Sequence, residues 1–115
     1  MRQCHTAAME VCSPLQNGEF ALEPYEAGWA TEALAIVYIR EVHGEAPILK
    51  LKAQISADGC RWIDFGPAFA PINSEGGYFL RLEGFGNWLR LAGEVSGGPA
   101  QEAAFIADFY WALKE

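Results

Sequence analysis

Ile48-Leu49-Lys50-Leu51-Lys52-Ala53-Gln54-Ile55-Ser56, then Ala57-Asp58-Gly59-Cys60, then Arg61-Trp62-Ile63-Asp64-Phe65, is the stretch that decides the fold. In its first part Leu49, Leu51, Ala53 and Ile55 alternate with Lys50, Lys52, Gln54 and Ser56. Successive side chains of a β-strand point to opposite faces, so this order gives one oily face and one wet face. A helix of the same residues would spread the lysines around its axis. Asp-Gly is among the strongest hairpin signals. Gly59 accepts a positive φ without steric cost, and the Asp58 carboxylate reaches the backbone of its own turn. The chain therefore reverses here and returns as a partner strand over Arg61–Phe65.

Working outward, Ala33–Glu41 is a central strand whose near-continuous apolar run predicts burial on both faces. Tyr78–Glu83 and Trp88–Val95 are strands around the turn Gly84-Phe85-Gly86, with the first as the expected partner of the second. Ala8–Val11 and Gly18–Leu22 are shorter strands, stopped by Ser13-Pro14 and by Pro24 and separated by the turn signal Asn17-Gly18. Gly66–Gly77, with Pro67, Pro71, Asn73 and Gly76-Gly77, reads as a long loop. The Ala and Glu content of Gln101–Glu115 favours a helix. Its alternation of Phe105, Ala107, Phe109, Trp111 and Leu113 favours a strand, as do the neighbouring rings of Phe109, Tyr110 and Trp111. We read it as a strand. Strands spaced by such turn signals describe an all-β antiparallel β-sandwich, jelly-roll-like, of about eight strands. It forms a single domain over 1–115, with 1–17 as an extended N-terminal arm.

The composition agrees with this reading. Of 115 residues, 51% are hydrophobic and 13% aromatic, enough for one core and too few residues for two. The net charge of −7 opposes binding to a phosphate backbone, so no nucleic-acid partner is expected. The longest apolar run, Ala33–Ile39, is far short of a membrane span. No membrane partner is expected, and Met1-Arg2-Gln3-Cys4-His5 lacks the apolar core of a secretion signal. The three cysteines, Cys4, Cys12 and Cys60, are an odd number and do not read as a disulfide framework.

Candidate chemistry is sparse. His5 and His43 are the two histidines, and neither sits in a motif with a nucleophile. Asp58 and Asp64 share a hairpin, where paired carboxylates can do acid–base work. Asp58 reads better as a turn residue and Asp64 as a solvent-facing one, so no enzyme is expected. Cys4, His5 and Cys12 are soft ligands at a spacing that matches no common zinc pattern. Neither a metal nor any other cofactor is expected.

The sharpest motif is Ser56-x-Asp58-Gly59-x-x-Trp62. It resembles the S-x-D-G-x-x-W turns of discoidin-like modules and, more loosely, the Asp-box hairpins of sialidases. In those families the turn is chiefly structural. Gly44–Asp64 as a whole, with a G-x-x-P turn, an alternating strand and S-x-D-G-x-x-W, resembles small virion proteins of tailed phages. Gly84-Phe85-Gly86-Asn87-Trp88-Leu89-Arg90-Leu91 and the turn Ser96-Gly97-Gly98-Pro99 are similar to later segments of those proteins. The resemblance covers Thr31–Glu115. The chain departs from it in the Ala-rich Ala100–Ala107 and the long Gly66–Gly77 loop. The resemblance implies a β-sandwich virion component, such as a capsid decoration or head–tail accessory protein. Such a protein is assembled in the cytoplasm, forms homo-oligomers and binds shell proteins.

If binding is the function, rings in irregular segments are the candidate anchors. Those are Tyr25, Trp29, Phe69, Phe85 and Trp88, while Trp62 and Trp111 are assigned to the core. The N-terminal arm is a second candidate, as a strand added to a neighbour's sheet. A carbohydrate- or surface-binding sandwich is the alternative. It would need a row of exposed rings, for which Tyr78, Trp88 and Tyr110 are the candidates.

Overall fold

In the computed structural model, which describes residues 4–115, the chain is all-β. The strands are β1 (Cys4–Leu15), β2 (Gly18–Ala21), β3 (Tyr25–Glu26), β4 (Glu32–Val42), β5 (Ile48–Ser56), β6 (Ile63–Phe65), β7 (Gly76–Glu83), β8 (Trp88–Ser96) and β9 (Phe105–Lys114). One sheet has the order β1-β9-β4-β7 and the other β2-β8-β5-β6, with β3 also paired to β8. All pairings are antiparallel. With the two-residue β3 set aside as a continuation of β2, eight strands remain. Apart from the β5–β6 hairpin, successive strands switch between the sheets, in the double Greek key of a jelly roll.

The hairpin at Asp58-Gly59 is present, with Ala53, Gln54 and Ile55 paired to Phe65, Asp64 and Ile63. Ser56 Oγ accepts from the N–H groups of Asp58 (3.2 Å) and Gly59 (2.9 Å). Asp58 Oδ1 accepts from those of Cys60 and Arg61, both at 2.9 Å. Gly59 has φ 78° and lies against the Trp88 ring, so a side chain there would be strained. The Asp58 carboxyl is held well below the usual range, chiefly by the backbone N–H groups of Arg61 and Cys60. At the opposite end Asn17 bridges two turns, accepting from Gly98 N (2.9 Å) and donating to Gly98 O (3.0 Å).

Between the sheets lies one core. Trp111, Phe105 and Phe109 are its largest fully buried side chains, and Ala33, Ala35, Ala53 and Ala107 are fully buried with them. The small residues leave room for the rings. Trp111 pairs in register with Ala35 on one side and Ala7 on the other. Its buried Nε1 has no hydrogen-bond partner among the described residues.

Four expectations are corrected. Trp88–Ser96 does not pair with the strand before it; it lies between β5 and β2, while β7 pairs with β4. The four residues Gly84-Phe85-Gly86-Asn87 cross from one sheet to the other instead of closing a hairpin, as a jelly roll requires, and local turn signals cannot tell the two apart. From Cys4 onward, the segment expected as an arm is β1, paired along β9. Trp62 is half-buried rather than in the core, with the Arg90 guanidinium 4.3 Å over its ring. Finally, Ala33–Glu41 is central but is not buried on both faces. Ala33, Ala35, Val37 and Ile39 are in the core, Leu34 and Ile36 are half-covered, and Tyr38 is 49% exposed.

Candidate interaction face

That last correction locates the site. Registers across β1, β9, β4 and β7 put the residues that point away from the core into rows. One row is Ala8, Tyr110, Ile36 and Phe79; the next is Thr6, Ala112, Leu34 and Arg81. Tyr38 stands beside the first row, opposite Gly77 on β7 and Asp108 on β9. The Tyr38 and Tyr110 rings meet edge to face at 5.9 Å and 72°. Tyr38 also lies over Gly77, where a Cβ would approach its ring to 3.4 Å. Phe79 is 71% exposed. The result is an apolar belt across the outside of the first sheet, built from Leu34, Ile36, Tyr38, Phe79, Tyr110 and Ala112.

Ion pairs frame the belt. On one side Asp108, buried beneath β1, accepts from Arg40 Nε and from the backbone N–H of Cys12, each at 2.7 Å. The Cys12 bond comes first among the causes that hold its carboxyl below the usual range. It also anchors a bulged stretch of β1 in which Cys12 has φ 55°, a left-handed conformation uncommon outside glycine. On the other side Arg81 Nε lies 2.9 Å from Glu32 Oε1. The frame therefore carries both signs of charge.

The outer face of the second sheet differs. Lys50, Lys52, Gln54, Arg90 and Glu94 point outward there. Lys52 Nζ is 3.1 Å from Asp64, Gln54 donates to Asp64 at 3.0 Å, and Arg90 donates to Gln54 at 2.9 Å. Hydrogen bonds from Gln54 and then Lys52 lower the Asp64 carboxyl. Neither Asp58 nor Asp64 therefore holds a proton at neutral pH. An open groove of about 650 Å³ runs over Ala21 and Ala92 between Lys50, Lys52, Arg90 and Glu19.

The ring anchors expected from sequence are scattered. Phe69 and Phe85 are buried, contrary to their expected place at the surface, because both loops fold inward. The Phe69 N–H bonds to Leu51 O along the open side of β5. Tyr25 is half-buried against the core, Trp29 is 38% exposed in the loop after β3, and Trp88 is half-buried beside Gly59. These five do not form one surface. Nor do Tyr78, Trp88 and Tyr110 form a row. Tyr78 packs on the core, Tyr110 lies on the opposite side of the same sheet, and Trp88 belongs to the second sheet. Cys4, Cys12 and Cys60 are unpaired and exposed. Among the described residues no group of three His, Cys, Asp or Glu side chains is gathered for a metal ion.

Sequence reasoning missed Leu34, Ile36, Tyr38, Phe79 and Ala112. The signal was there in part: a sandwich strand should alternate, and Ala33–Ile39 does not.

No family model and no curated protein matches the chain in sequence. By structure it is similar to the SPBc2 prophage-derived protein YomS over 100% of this chain and 96% of that one, with a TM-score of 0.57 and 7% identity. A second similar structure is dimeric latent PorU from Porphyromonas gingivalis, at TM-score 0.49 and 14% identity, over 99% of this chain and 13% of that one. The likeness to YomS is one of fold.

Proposed function

We propose that this chain is a non-catalytic structural or accessory protein of a phage particle, binding other proteins in a symmetric assembly, most specifically as a capsid decoration or virion accessory protein. The observation that carries the reading is the belt of Leu34, Ile36, Tyr38, Phe79, Tyr110 and Ala112. The outer face of an antiparallel sheet normally meets water with polar side chains. A contiguous apolar patch with a charged frame is the form of a protein-docking surface. The whole-length likeness to a prophage-derived protein supports the phage setting. So does the jelly roll, an architecture used by viral capsids, though as an analogy of fold.

The test is to express the chain in cells that produce its particles, purify them, and measure its content by mass and electron microscopy. The chain is expected on the particles at a stoichiometry set by their symmetry. Ile36→Lys combined with Tyr110→Glu is expected to remove it while leaving its fold intact. Particles without the wild-type chain would overturn the reading.

The groove of the second sheet favours one alternative, a carbohydrate- or surface-binding module, because Gln54, Arg90, Lys50 and Lys52 present polar groups over a small-residue floor. A glycan array should then give binding that Arg90→Ala and Gln54→Ala abolish. A blank array removes this alternative.

A further inference from the structure

A sheet edge is a row of unpaired N–H and C=O groups, and natural β-proteins blunt such edges with bulges, prolines, charges or short strands. Three of the four edges here are blunted. β1 carries two register shifts and Pro14. The β2–β3 edge is broken at Pro24, and β6 has three residues, followed by Pro67 and Pro71. β7 is different. Its eight residues, Gly76-Gly77-Tyr78-Phe79-Leu80-Arg81-Leu82-Glu83, contain no proline and no lysine. The charges they do carry, Arg81 and Glu83, are engaged within the sheet, Arg81 with Glu32 at 2.9 Å and with Glu83 at 4.0 Å. They pair with β4 from Glu32↔Glu83 to Ile39↔Gly76 without a register shift. Phe79, the most exposed large apolar side chain among the described residues, stands on this edge at 71% exposure.

We infer that β7 pairs antiparallel with β7 of a second copy of this chain, about a two-fold axis at Leu80, joining two four-stranded sheets into one of eight strands. The argument for a second copy is that the strand is complementary to itself. With the axis at Leu80, Phe79 lies opposite Arg81 of the second copy, and Glu83 lies opposite its Gly77. The pairing uses the whole run 77–83, places no like charges opposite each other and covers Phe79 with an arginine side chain. Moving the axis to Phe79 sets Glu83 against Glu75. Moving it to Arg81 sets two arginines face to face. Moving it to Leu82 runs the ladder into Gly84, whose φ of 73° ends the strand. Neighbouring copies would also continue the apolar belt, because Phe79 and Arg81 both lie on the outer face. A closed two-fold contact of this kind is the commonest form of homo-oligomer. It does not depend on what the belt docks against.

The experiment is the solution mass of the purified full chain, by sedimentation over a range of concentrations. Twice the chain mass is expected. Phe79→Lys, a charge of the kind that protects natural edges, should weaken association at least tenfold with an unchanged circular dichroism spectrum. Lys50→Gln, on the other sheet, should leave association as it was. In a Cys4→Ser, Cys12→Ser, Cys60→Ser background, Phe79→Cys with Arg81→Cys should give disulfide-linked dimers, and Phe79→Cys alone should not. A monomer at all concentrations would overturn the inference, as would a dimer indifferent to Phe79→Lys or one cross-linked by Phe79→Cys alone. Absence of the chain from particles, with this dimer intact, would overturn the proposed function and leave the pairing standing.

Discussion

The outer faces of the two sheets cover the same core and have opposite characters. On the second sheet, Lys52, Gln54, Asp64 and Arg90 form a bonded polar surface at home in water, with Lys50 exposed on the same strand as Lys52. On the first, Leu34, Ile36, Tyr38, Phe79, Tyr110 and Ala112 form an apolar surface that water does not favour. Folding alone asks only that the inner faces be oily. An outer face that is oily too is not something folding requires, and the charges beside it sit in the frame at Arg40–Asp108 and Arg81–Glu32. The difference teaches that an unusual outer face of a sandwich is found by asking which strand fails to alternate.

The largest effect expected from breaking this contrast is on assembly. Ile36→Lys with Tyr110→Glu should lower affinity for the particle about 100-fold, about 2.8 kcal/mol at 1.4 kcal/mol per decade, read by co-sedimentation. Next is Asp108→Ala. It leaves the Cys12 N–H without its acceptor under β1 and should cost about 2 kcal/mol, read as a lowered denaturation midpoint. Because Asp108 belongs to the frame of the first face and not to the second, binding should weaken with it.

Gly59→Ala comes third and tests the other side of the comparison. It strains the turn at φ 78° and should cost about 1 kcal/mol in thermal unfolding without changing particle binding.

Acid provides a smaller and shared effect. Asp58, Asp64 and Asp108 are all depressed in the folded chain. Their contribution is complete above the unfolded carboxyl value of about 3.9 and is lost as pH falls below it through the folded values. Melting temperature should be level between about pH 5 and 7 with respect to these groups and fall below about pH 4. Asp108→Asn should flatten part of that fall. The smallest effect belongs to Lys50→Gln on the wet face, which should change stability by less than about 0.5 kcal/mol and binding not at all.

Much of this was legible along the chain. The alternation at Ile48–Ser56 and the Asp58-Gly59 corner identified a hairpin with one wet face, and the structure places both there except at Ser56. That residue was expected on the wet side and is buried with its hydroxyl bonded to the turn backbone. The rings at Phe105, Phe109 and Trp111 marked a core strand despite the helix-favouring alanines and glutamates before them. Loop rings were read less well. Phe69 and Phe85 looked free because their segments carry turn residues, yet turn chemistry says nothing of which way a ring points. Trp62 looked like core, but the hairpin leaves it on the wet face under Arg90.

By itself, then, the sequence determined the local facts: which runs are strands, where they turn, and that their inner faces are apolar. Those follow from side-chain period and backbone sterics, which act between near neighbours. Only the tertiary structure decided that β8 joins β5 rather than β7, that β7 stands at a straight, proline-free edge, and that Leu34, Ile36, Tyr38, Phe79, Tyr110 and Ala112 share one face. The reason is physical: strand order and register are chosen by contacts between residues far apart in the chain. A surface made from three such strands exists only once they have paired.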